Sequence, residues 1–197
     1  MAINVNEPNN RCVTASTVGY MCLALIIWMV SMTNAAWYAK VYAHGSSLML
    51  PMAILLGLMG ILAYLHGRSL DALVFFAGTG LLWSARAAGL ATSAALEPLS
   101  YAGWYWAGWA VFFGYVWLGS FRAGFLRPFF LLGLAIALAT YTLYEWTNLR
   151  LFALISGYVG LVTSIIALVI SASDVVYFGH EGHSPNDDRA AEHAHAT

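Results

Sequence analysis

Apolar residues fall into six long blocks along this chain, separated by short polar breaks. The blocks cover residues 13–37, 48–66, 70–91, 101–121, 129–144 and 151–176. A hydrocarbon core about 30 Å thick takes about 20 helical residues at 1.5 Å each. Each block is therefore predicted to be a helix that crosses a bilayer. The fifth is the shortest and can reach back to Phe125 through Pro128. The expected organisation is a head over residues 1–12, a six-helix transmembrane domain over 13–176 and a tail over 177–197. The tail holds Gly182 and Pro185 without an apolar pattern, and is expected to be disordered. The fold class that follows is an all-α integral membrane protein with six transmembrane helices. Connections of a few residues leave no room for a soluble catalytic domain.

Composition sharpens this in two ways. With 61% hydrophobic and 9% charged residues, the chain is far from the balance of a soluble domain. A net charge of −1 gives no electrostatic footprint for nucleic acid. The first block begins after Arg11 and is longer than a signal-peptide apolar region, so it is expected to be retained as a membrane helix. Cys12 and Cys22, ten residues apart, fit no zinc or haem-attachment spacing, and are read as free thiols.

Loop charge sets the expected orientation. With six spans, the head, the 66–70 and 122–128 connections and the tail share one side, which carries Arg11, Arg68, Arg122, Arg127 and Arg189. The other side carries Lys40 and Arg150, with Arg86 added if it snorkels outward. The Lys/Arg excess marks the first side as cytoplasmic, with both termini inside a multi-pass protein of the inner (plasma) membrane.

Chemistry-bearing residues are sparse within the blocks. No span carries a central Asp, Glu, Lys or His; Glu145, Asp174 and His66 sit at helix ends. This argues against a carboxylate proton relay and a bis-His haem site. An enzyme is not expected, because no nucleophile–base pair or metal cluster is visible, and no cofactor is implied. The deeper polar residues are Ser31, Thr33, Asn34, Thr79, Ser84, Thr140, Thr163 and Ser164. They suit a narrow, weakly polar conduit, and equally ordinary hydrogen bonds between helices. Glycines such as Gly57, Gly60, Gly78, Gly157 and Gly160 suit close packing or a pore lining alike. The fourth block is aromatic throughout; Trp104 to Trp106 fit an interfacial belt, while Phe112, Phe113 and Tyr115 lie too deep for one. Those three are left to face lipid, a neighbouring subunit or a pore. In the tail, His180, His183, His193 and His195 near carboxylates can bind a divalent metal adventitiously, without a fixed shell to make a dedicated site.

Several short stretches resemble the acetate uptake transporter family. SMTNA at 31–35 is similar to a polar segment ending in Asn in its first helix. Gly60, Gly67 and Ser69 fall where the family has A-G-x-x-E-x-x-x-G-N-T-F-G, and TGLLW at 79–83 resembles its Y-G-x-F-W. SGYVGL at 156–161 resembles A-G-W-I-G-L, and Asp174 stands where the family often has Glu. The chain departs from the family at its N-P-x-P-L-G-L signature, which reads NNRCVTA at 9–15 here. The family's Gln in the second span falls on Leu56, its constriction tyrosine on Thr79 and its first-helix phenylalanine on about Val18.

The resemblance implies a hexamer of six-helix protomers, each with a pore for a small monocarboxylate such as acetate. Ser31, Asn34, Thr79 and Thr163 are the candidate polar contacts along the pathway, since hydroxyls and amides hydrogen-bond a solute without trapping it. Val18, Leu56 and Leu134 are the candidates for an apolar constriction. Arg86 either handles anions at the outer mouth, or snorkels, or pairs with Glu97 or Glu145. The expected partners are membrane lipid, a small solute and other copies of the chain. Two alternatives stand beside this reading: a urea/amide-type channel, and a non-transporting scaffold subunit of a larger membrane complex.

Overall fold

A computed structural model describes residues 8–35, 41–92, 100–122 and 124–181. It consists of six α-helices: α1 Pro8–Asn34, α2 Val41–Leu65, α3 Ser69–Thr92, α4 Ser100–Gly119, α5 Leu126–Thr147 and α6 Arg150–Glu181. A 3-10 turn at Ser120–Arg122 follows α4, and no strand occurs among the described residues. Helices are the expected outcome, because a lipid-exposed backbone must satisfy its own N–H and C=O groups. Among the described residues, three segments are long and apolar enough to cross a membrane: Ala15–Asn34, Leu126–Thr147 and Arg150–Val176. Leu50–Leu65 and Ser69–Ser84 are shorter apolar helical segments.

The helix ends differ from the sequence expectation for local reasons. α5 starts at Leu126 with Pro128 in its first turn, where a missing N–H costs no intrahelical bond. α2 starts at Val41, seven residues before the apolar block, and carries Pro51 inside it. α1 takes in residues 8–12 of the expected head, and α6 runs five residues into the expected tail. Residues 182–197, with His183, His193 and His195, lie outside the described residues. The turn between α2 and α3 is closed by Gly67 at φ +75, with Arg68 N–H donating to Ala63 O and Gly67 N–H to Tyr64 O, both at 3.0 Å. That paired closure needs the left-handed conformation glycine adopts without strain. At the α5 end Asn148, at φ 55, does the same work, its N–H donating to Tyr144 O at 2.7 Å.

The helices pack as neighbours in the order α4, α5, α6, α1, α2, α3, with α1 also touching α3. α3 approaches α4 through side chains: the Tyr105 hydroxyl lies 2.7 Å from that of Ser84 and donates to Leu81 O at 3.1 Å. Gly157 lies against the Ala35 backbone and Gly160 against the Ser31 hydroxyl, so α1 and α6 cross closely; Gly133 takes Thr163 in the same way between α5 and α6. Small residues permit this approach in membranes, where burial from lipid offers little drive.

The exterior is apolar as well as the interior. Asp71 and Ser16 are buried at the interior, while Trp104, Val111, Tyr115 and Leu118 form an exposed stripe along α4. Tyr158, Val162, Ile165 and Val169 form another on α6. An apolar exterior around a polar-containing core is the surface a bilayer solvates. Of the deep aromatics on α4, Phe113 points inward and is fully buried, Phe112 is half-buried against Trp109, and Tyr115 faces out.

Candidate functional site: a layered axis through the bundle

Three helices, α1, α3 and α5, present successive turns to the same interior line. Their residues there stack in three layers of different chemistry.

The first layer is charged and lies where α1, α3 and α5 begin and α6 ends. Asp71 sits in the first turn of α3, a position that the helix dipole favours for an anion. Arg68, one turn before it, brings Nε to 2.7 Å from Asp71 Oδ2. Arg127, in the first turn of α5, brings Nε to 3.2 Å from Oδ1 and its Nη2 to 3.5 Å from Oδ2. Arg68 also reaches Asp174 near the end of α6 at 3.8 Å. The Ser16 hydroxyl donates to Asp174 Oδ2 at 2.9 Å and lies 3.4 Å from Asp71 Oδ2. With Ser16, two cations and two anions thus tie α1, α3, α5 and α6, and the charges cancel formally. Only a cancelled set is tolerable at this depth, since an isolated buried charge is expensive.

The second layer is aromatic. Tyr20, Phe75 and Phe130 are each buried to within 1% of full burial. Tyr20 meets Phe75 edge-on at a centroid distance of 5.3 Å and Phe130 at 5.6 Å. Its hydroxyl donates to Asp71 Oδ1 at 2.9 Å, so this layer is bonded to the first. The ring of Phe75 also fills the space beside Gly19, so no larger residue fits there without moving it.

The third layer is a cavity of about 30 Å³ lined by apolar side chains and one glycine. Leu23, Gly78, Phe113 and Leu134 represent α1, α3, α4 and α5 around it. Its volume is about the share of one water molecule in the liquid, and its walls offer no polar partner to hold one.

The sequence-predicted residues distribute unevenly over this axis. Leu134 lines the cavity, and Leu56, fully buried, packs beside Gly78 at the cavity wall. Val18 is half-buried against the core and does not line the cavity. The hydroxyl candidates stand at helix crossings. Thr79 donates to Phe75 O at 2.9 Å and lies 3.2 Å from Ala53 O, and Thr163 donates to Val159 O at 2.8 Å. Ser31 is buried at the α1–α6 crossing, and Asn34 is half-buried at the end of α1. Arg86 belongs to α3 by its backbone, and its side chain lies outside the described residues, as does that of His180. No group of three or more His, Cys, Asp or Glu able to hold a metal occurs among the described residues.

Sequence reasoning missed Tyr20, Asp71, Phe75 and Phe130, and used Arg68 and Arg127 for orientation only. A usable signal existed for the charged layer. Opposite charges at Asp71 and Arg127 fall in the first turns of two helices that six-span topology starts from the same side.

Among solved structures, the chain is similar to the bacterial acetate channel SatP, with a TM-score of 0.72. Identity is 17%, and the match covers 82% of this chain and 91% of that one. No protein-family model and no curated protein sequence matches the chain. The chain therefore shares the fold of that structure, and the six helices expected from the apolar blocks are the ones found.

Proposed function

We propose that this chain is a membrane channel or transporter for a small monocarboxylate such as acetate. The observation that carries the reading is the fold shared with an acetate channel over 82% of the chain. The layered axis supports it. At one end the paired arginine side chains, each about a fifth exposed, offer N–H donors to a carboxylate, and a narrow apolar stretch beyond them selects small solutes and gates by excluding water. The residues of the axis offer size discrimination beyond a polar end.

The same proposal includes a homo-oligomeric ring, hexameric by resemblance, in the inner membrane with both termini cytoplasmic. The exposed apolar stripe of α4 is a surface that copies of the chain would cover. A stable monomer in mild detergent would count against the ring.

Uptake of labelled acetate and of labelled urea into proteoliposomes tests the function. Acetate uptake well above that of protein-free vesicles is the expected result. Urea flux without acetate flux would favour a neutral-solute channel, and no flux of either would favour a scaffold.

A further inference from the structure

We propose that the charged layer is a latch on the aromatic layer: Asp71, held by Arg68 and Arg127, fixes Tyr20 through its hydroxyl and so sets how often the cavity opens to that end of the bundle. Asp71 and Tyr20 are in this sense positioning residues for passage, a role that rests on the channel reading.

The geometry supports the latch at each link. Tyr20 is buried and stands between Phe75 and Phe130 in two edge-on contacts, at the level that separates charged layer from cavity. The two edge-on contacts set the tilt of the ring; the 2.9 Å bond from the hydroxyl to the charged Asp71 Oδ1 adds a stronger, charge-assisted hold at its tip. Asp71 is a firm anchor, because Arg68 Nε at 2.7 Å, from the α2–α3 turn, and Arg127 Nε at 3.2 Å, from α5, hold its two oxygens. The anchor is also releasable. Both arginine side chains are about a fifth exposed, at 23% and 21%, so the pairs border the surface at that end. An interaction that merely tied helices together would not need to end on the hydroxyl of the ring that closes the axis.

The test uses the full-length chain purified in mild detergent. Cys12→Ser and Cys22→Ala remove the native thiols, and Leu134→Cys places one thiol in the cavity. The rate at which a small methanethiosulfonate reagent modifies that thiol reports opening, whether or not the protein transports anything. Tyr20→Phe keeps the ring and deletes the hydroxyl. It is expected to raise the modification rate about tenfold, the population shift that follows loss of one hydrogen bond to a charged group. Asp71→Asn is expected to act in the same direction, and the double variant to add less than the two single effects combined, since both act on one contact. A rate unchanged or lowered by Tyr20→Phe, in protein with wild-type elution volume and helix content, overturns the latch. Should Asp71→Asn fail to assemble, Tyr20→Phe decides alone.

Acetate flux through Tyr20→Phe with native cysteines separates the two proposals. Faster thiol modification with no flux in wild type or variant keeps the latch and removes the monocarboxylate reading. Acetate flux with unchanged thiol reactivity does the reverse.

Discussion

Asp71 accepts contacts from Arg68, Arg127 and Tyr20 while remaining 2% exposed, so most of what stabilises its charge is supplied by the protein rather than by water. Removing one partner leaves that charge under-compensated. Arg127→Ala is expected to destabilise the folded protein by about 3 kcal/mol, the low end for a broken buried pair because its side chain is 21% exposed. Arg127→Lys keeps the charge but loses the planar fork, and is expected to recover part of that loss. Unfolding in mixed micelles, followed by tryptophan fluorescence, measures both; equal stability of wild type and Arg127→Ala would contradict the network. The residues of this layer were visible in the sequence as individual charges at helix ends, but their pairing was not. Asp71 and Arg127 are 56 positions apart, and nothing local in either segment names the other. Thr79 and Thr163 each donate to a carbonyl one turn back, the partner that an apolar helix offers a hydroxyl.

At the scale of elements, close crossings are carried by particular glycines. A Cβ at Gly157 would collide with the Ala35 backbone, which cannot step aside as a flexible side chain can. Gly157→Ala is expected to cost about 1–3 kcal/mol by overpacking the α1–α6 crossing. Gly114 on α4 has nothing within 4 Å of that position, so Gly114→Ala is expected to be neutral or to stabilise by up to about 1 kcal/mol through helix propensity. Comparing their thermal unfolding in detergent checks the pair, and similar behaviour would contradict the assigned crossing. The sequence showed all these glycines and could not rank them, because packing and pore lining ask for the same residue. It located the six helices well, since block length against bilayer thickness is a strong constraint. It placed the ends less well at α2 and α6, where His44, Gly45, Ser46 and Ser47 at one end and Tyr177 to Glu181 at the other continue a helix without continuing the apolar pattern.

For the whole molecule, the arrangement of helices α4, α5, α6, α1, α2, α3 brings the first and last helices together beside the interior axis. Helices that are apolar on every side carry little information about which face turns inward, so this order and the three layers were not legible from the sequence. The charged end was legible in outline, because alternation of six spans sends the starts of α1, α3 and α5 to one side. The central claim is that a small monocarboxylate passes along this axis, and blocking the cavity tests it most directly. Leu134→Trp fills a cavity of about 30 Å³ from within. The measurement is initial uptake of labelled acetate into proteoliposomes carrying wild type or Leu134→Trp at equal density. It is made at a pH far above the carboxyl range, about 4, so that little neutral acid leaks through lipid. The account predicts wild-type uptake well above that of protein-free vesicles, and uptake by an equally well assembled Leu134→Trp close to theirs. Wild-type uptake no greater than that of protein-free vesicles, or full uptake through the blocked variant, would contradict it.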